Sequence, residues 1–199
     1  MPEYSKDQVL TWLQNMSNGM LNLNYDNTGF ADAAIAIVNE FEDDEVPLKA
    51  GYLSPHFTLA EMTRSDTATA RGIDNTPNEQ ETVNLSKVCE TMEEIRSLLG
   101  DKPITITSAF RSEALNKAVG GVPNSAHRLG LAADFVCPSF GTPTQICNHL
   151  LGRVSSLDLD QLINEKTGGG EWVHIGLSLG EPRYQALTIT DSGTQIGIV

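Results

Sequence analysis

Ser125-Ala126-His127-Arg128-Leu129-Gly130-Leu131-Ala132-Ala133-Asp134 is the stretch on which the reading of this chain turns. A histidine precedes a glycine turn, and an aspartate sits in an apolar run, Leu131 to Val136, that reads as a strand. An aspartate between Ala133 and Phe135 needs a partner, because an isolated buried charge is costly. An ion pair with Arg111 or Arg128 would supply one, and so would a metal. Catalytic zinc commonly takes three protein ligands from histidine nitrogen and carboxylate oxygen, leaving one position open. His174, in Glu171-Trp172-Val173-His174-Ile175-Gly176, lies on a second apolar strand. If the two strands are neighbours, His127, Asp134 and His174 converge. By spacing alone His-x6-Asp is a weak signal, and both readings stay open.

Outward from this stretch the pattern is helices first and short strands later, which predicts an α+β fold. The first fifty residues read as a short helical extension, with helices over 6–18 and 31–42 around a turn-rich segment. The predicted main domain takes in 51–199. Thr58 to Glu61 reads as a capping box opening a short helix. Thr76-Pro77-Asn78-Glu79 predicts the start of a helix over 77–99, with Pro77 in its first position and Gly100 ending it. Ile104–Ser108 alternates as a strand does. A short helix over 113–119, a loop over 120–124, a strand over 131–136 and a helix over 143–152 follow. Strands are expected at 161–164 and 171–177, separated by three glycines, and a terminal hairpin at 185–189 and 194–199.

Composition narrows the function classes. Hydrophobic residues make up 40% of the 199, enough for a packed core. The formal net charge of −13 repels nucleic acid and anionic membrane surfaces, so neither is expected as a partner. The acidic run Glu42–Glu45 lacks the ligand spacing of a calcium loop and reads as a solvated linker. Three cysteines, none in a Cys-x-x-Cys pair, suggest neither a disulfide framework nor a cysteine-based zinc site. The N-terminus has no basic region followed by an apolar core, so synthesis in the cytoplasm without a signal peptide is expected. No stretch approaches the length of a membrane span. A monomer is expected.

Together, Ser-x-His-x-x-Gly-x-Ala-x-Asp and Trp-x-His about forty residues later resemble the zinc D-alanyl-D-alanine carboxypeptidase family. That family includes L-alanyl-D-glutamate endopeptidases of phage endolysins and has the hedgehog/DD-peptidase fold, a small antiparallel sheet flanked by helices. Ser108-Ala109-Phe110-Arg111-Ser112 is similar to its Ser-Gly-Tyr-Arg-Ser segment, with Ala109 and Phe110 as departures. Leu53–Met62 and Asp160–Glu165 resemble its phage and prophage members.

The resemblance implies Zn2+ bound by His127, Asp134 and His174. It implies Glu171 as general base, with Glu165 as the alternative some relatives carry, and Arg111 as an oxyanion or carboxylate partner. A turn or bulge would be needed to aim Glu171 at the metal, since i and i+3 on a strand face opposite ways. Ser125 would contact substrate, and Trp172 would wall the cleft or pack in the core. An Arg111–Arg128 patch would offset the acidity of the chain near an anionic substrate. The implied activity is peptidoglycan stem-peptide hydrolysis, by carboxypeptidase or endopeptidase action. The implied setting is a phage or prophage lysin reaching the wall through a holin or from a virion. A non-catalytic zinc-containing wall-binding module is the alternative. His56 and His149 match no ligand position.

Overall fold

A computed structural model of the chain describes residues 48–199. The predicted helices over 6–18 and 31–42 and the acidic run at 42–45 lie outside the described residues. From Leu59 onward the order is α1 (Leu59–Thr63), α2 (Asp66–Arg71), α3 (Glu79–Leu98), β1 (Thr105–Ser108) and α4 (Glu113–Ala118). A 3-10 turn (Ala126–Leu129) leads to β2 (Ala132–Val136) and α5 (Pro143–Leu150), and a second 3-10 turn (Leu151–Arg153) follows α5. The chain ends in β3 (Gln161–Thr167), β4 (Gly170–Gly176), β5 (Gln185–Thr190) and β6 (Gly193–Ile196).

The long helix starts two residues later than Pro77 suggests. Asn78 is its cap: the Asn78 side chain accepts from the Glu81 N–H at 2.9 Å, and the Glu81 carboxylate accepts from the Asn78 N–H at 2.8 Å. This reciprocal pair satisfies two orphan donors and leaves Pro77 outside. At the other end Gly100 adopts φ 75°, and the N–H groups of Gly100 and Asp101 bond back to Ser97 and Arg96, which closes the helix. Helix α2 was not anticipated. Ser65 caps it and Gly72 ends it in the left-handed region, but six residues give too short a period to read.

The α+β expectation holds. The six strands form one sheet in the order β1-β2-β4-β3-β5-β6. It is mixed rather than purely antiparallel, because β5 runs parallel to β3. Helix α3 packs on β2 through a stripe that includes Leu85, Val88, Met92 and Ile95, and α5 packs on β3 and β4 through Ile146 and Leu150. Ala133, Phe135, Leu162, Val173 and Ile175 meet these helices on one face of the sheet. Alternation then sends Asp134, Ile163, Glu165, Trp172 and His174 to the other face. That second face is the floor of a cleft. No helix among the described residues is long and apolar enough to cross a membrane.

Candidate metal centre and active site

Strands β2 and β4 pair antiparallel with Asp134 directly opposite His174. Their side chains meet: His174 Nδ1 donates to Asp134 Oδ1 at 2.7 Å. His127 arrives from the 3-10 turn, its Nε2 3.3 Å from the same oxygen. Two local features place that turn. Gly130 ends it at φ 69°, where a Cβ would lie 2.6 Å from the Glu81 carbonyl oxygen on α3. The Arg111 N–H also donates to the His127 carbonyl at 3.1 Å.

The donor set fits zinc. All three side chains are buried, and one ligand atom from each lies within 4.8 Å of the others. His127 Nδ1 donates to the Ala109 carbonyl at 2.6 Å, which holds the ring with Nε2 towards the cluster. Burial alone would raise the Asp134 carboxyl, but the two imidazoles beside it hold it well below the usual carboxylate range. Burial lowers His127 and so favours the neutral ring that a metal requires. Two histidine nitrogens and one carboxylate are a set that zinc takes at catalytic sites.

Arg111 braces this cluster from behind Asp134. Its Nη2 donates to Asp134 Oδ2 at 2.7 Å and its Nε to Ser108 Oγ at 2.9 Å. Ser108 can reach it because β1 bulges between Ile106 and Ser108, which re-aims the strand end. The two readings of Asp134 are compatible: one carboxylate oxygen takes the arginine, and the other faces the histidines, where a metal could be held.

The cluster lies in a cavity of about 860 Å³, also lined by Ser125, Glu165 and Trp172. The Ser125 hydroxyl makes no capping bond. Trp172 lies opposite Glu165 in the β3–β4 register, with its indole nitrogen buried. Glu165 enters because β3 extends to Thr167, three residues beyond the predicted end, and turns on Gly168-Gly169 alone, both at positive φ. Burial, and then the charge of Asp134, push the Glu165 carboxyl above its usual value.

Glu171 does not join the cavity. It stays within regular β4, with no bulge to turn it, so it faces the helix side with Val173. There it accepts from Thr144 Oγ1 at 2.7 Å, and Lys166 Nζ lies 3.7 Å away. The expected Arg111–Arg128 patch is also corrected. Arg128 is bonded to Glu113 at 3.1 Å and to the Pro123 carbonyl, and it does not line the cavity. His56 pairs with Glu93, and His149 bonds the Leu98 carbonyl.

Sequence reading missed Asn75. Its Nδ2 donates to the carbonyls of Thr63 and Phe110, and its Oδ1 accepts from the Ser112 N–H. It ties the end of α1 to the segment carrying Arg111. A lone loop asparagine gives no signal of such a role.

A family described as Peptidase M15 matches residues 55–154. The chain is also similar to the zinc D-Ala-D-Ala carboxypeptidase of Streptomyces albus G, 38% identical over 88 residues. That alignment takes in 43% of this chain and 33% of the relative, so the chain spans about a third of the length of that protein. The family match includes His127 and Asp134, and the fold brings His174 to them from outside it. The chain is a member of the peptidase M15 family.

Proposed function

We propose that this chain is a zinc peptidase that hydrolyses peptidoglycan stem peptides, with Glu165 as its general base. The observation that carries the reading is the placement of Glu165 beside three buried metal donors in one cavity. His127, Asp134 and His174 would hold zinc, which when bound would supply a Lewis acid able to polarise a peptide carbonyl and acidify water.

The protein residues do the rest. Glu165 takes a proton from the attacking water on its carboxylate and passes it to the departing amine. Its raised carboxyl makes it a stronger base than an exposed glutamate. Arg111, fixed by Asp134 and Ser108, offers Nη1, which has no hydrogen-bond partner among the described residues, to the oxygen where charge develops. Ser125 and Trp172 line the space a peptide would occupy. The substrate class follows the relative's printed name, a zinc D-Ala-D-Ala carboxypeptidase. The lysin setting rests on the resemblance of Leu53–Met62 and Asp160–Glu165 to phage members.

Mass spectrometry of digested peptidoglycan tests this. Loss of one alanine mass marks a carboxypeptidase, and freed stem peptides or split cross-links mark an endopeptidase. Glu165→Gln is expected to lower kcat by about 100- to 10,000-fold with zinc content unchanged. Glu171→Gln is expected to keep most of the activity. The opposite ranking would return the base to Glu171.

A further inference from the structure

The cavity is lined by three arginines, Arg64, Arg111 and Arg183. Two are committed within the protein. Arg111 is paired with Asp134 at 2.7 Å. Arg183 is forked onto Asp160, where its Nε lies 2.9 and 3.1 Å from the two carboxylate oxygens. Arg64 makes no ion pair or side-chain hydrogen bond among the described residues, and it is exposed at the cavity wall. In a chain of net charge −13, it is, among the described residues, the cavity arginine with no carboxylate partner, so its whole guanidinium is open to an anionic ligand.

Arg64 is also held in place at its backbone. It caps the end of α1 in an extended conformation, and its N–H bonds the Glu61 carbonyl. The residues before it are locked to the Arg111 segment twice. Phe110 N–H donates to the Met62 carbonyl at 2.8 Å, and Asn75 bridges Thr63, Phe110 and Ser112. The spacing between the root of Arg64 and the metal cluster is therefore set before any ligand arrives. Such preorganisation lowers the ordering cost of binding.

We propose that Arg64 is a specificity residue that binds a free carboxylate of the peptide substrate. The proposal rests on the peptidase reading above, and it adds the requirement of a charge at a fixed distance from the scissile bond. A guanidinium pairs with a carboxylate through charge-assisted, often bidentate hydrogen bonds. A stem peptide offers that group at its C-terminus or on an internal glutamyl residue.

The test is calorimetric binding of three peptides to the full-length zinc-loaded chain, carrying Glu165→Gln to stop turnover. The peptides are a stem tetrapeptide with both carboxylates free, its C-terminal amide, and its internal glutamyl amide. One amide is expected to bind about 10- to 100-fold more weakly than the free acid, and its identity names the source of the carboxylate. Adding Arg64→Gln is expected to remove that difference, so that all three bind as weakly as the discriminated amide. Arg64→Lys is expected to keep part of it. Equal binding of all three peptides by the parent, or discrimination surviving in Arg64→Gln, overturns the proposal. Turnover by the unsubstituted chain is followed separately. No hydrolysis there, with carboxylate discrimination intact, sinks the peptidase reading and supports the role of Arg64.

Discussion

Asp134 has the most connected side chain in the site. One oxygen faces both histidines and the other takes Arg111, so a single carboxylate sets the positions of three cations or cation-binding groups. Replacing it by asparagine removes the negative charge, leaves one neutral acceptor oxygen and puts an amide donor against Arg111 or His174. Asp134→Asn is expected to lose zinc at concentrations that saturate the parent, as read by metal analysis after dialysis. Chelation of the parent is expected to abolish hydrolysis and lower Tm, with zinc restoring both, because a ligand that binds only the folded state stabilises it. Full activity after exhaustive zinc removal would contradict the proposed chemistry. The same residue marks what spacing can reveal. His-x6-Asp pointed to a partner for Asp134 without choosing between metal and arginine, and the fold supplies the arginine together with a donor set that could hold a metal.

At the scale of elements, glycines decide where the ligands stand. Gly130 combines a left-handed backbone with a 2.6 Å approach of any added Cβ to the Glu81 carbonyl on α3. Gly130→Ala is expected to destabilise the domain by about 1–3 kcal/mol or more and to shift the denaturant midpoint without changing the slope. Strand and helix positions were legible from periodicity: β1, β2, α3, α5 and the terminal hairpin lie within a few residues of their predicted places. Two element-level errors had physical causes. The end of β3 was hidden because Glu165-Lys166-Thr167 is polar, although its pairing with β4 and β5 keeps it in the sheet. That hidden extension is what puts Glu165, rather than Glu171, on the face of the metal ligands. The Glu-x-x-His spacing suggested proximity, and a regular strand converts an offset of three into opposite faces.

For the whole molecule, charge balance is the governing quantity. A chain at −13 would meet the proposed anionic substrate only where local cations are exposed, and two of the three arginines of the cavity are internally compensated. The Asp160–Arg183 pair illustrates their structural use. Hydrogen bonds from Arg183 outweigh burial and lower the Asp160 carboxyl. A depressed folded value means the pair stabilises the fold above the ordinary aspartate pKa, near 3.9, and that this contribution fades as pH falls through the lower folded value. Arg183→Gln is therefore expected to lower the denaturant midpoint at pH 7, with the gap to the parent closing below about pH 4. A gap that persists unchanged at low pH would assign the effect to packing of the arginine stem. Net charge was readable from composition, but which arginines are spent depends on three-dimensional pairing that no linear pattern encodes.

The Gly168-Gly169 turn gives the site a history as well as a shape. Glu165, Trp172 and His174 belong to one tight hairpin, while Asp134 lies 40 residues before His174. Hairpins close in microseconds, and joining distant strands carries a larger loop-closure cost. The hairpin that carries Glu165 and His174 should therefore form before Asp134 is brought to it on β2. Pulsed hydrogen exchange during refolding is expected to protect the amides of 161–176 ahead of those of 132–136, and the reverse order would refute this sequence of assembly.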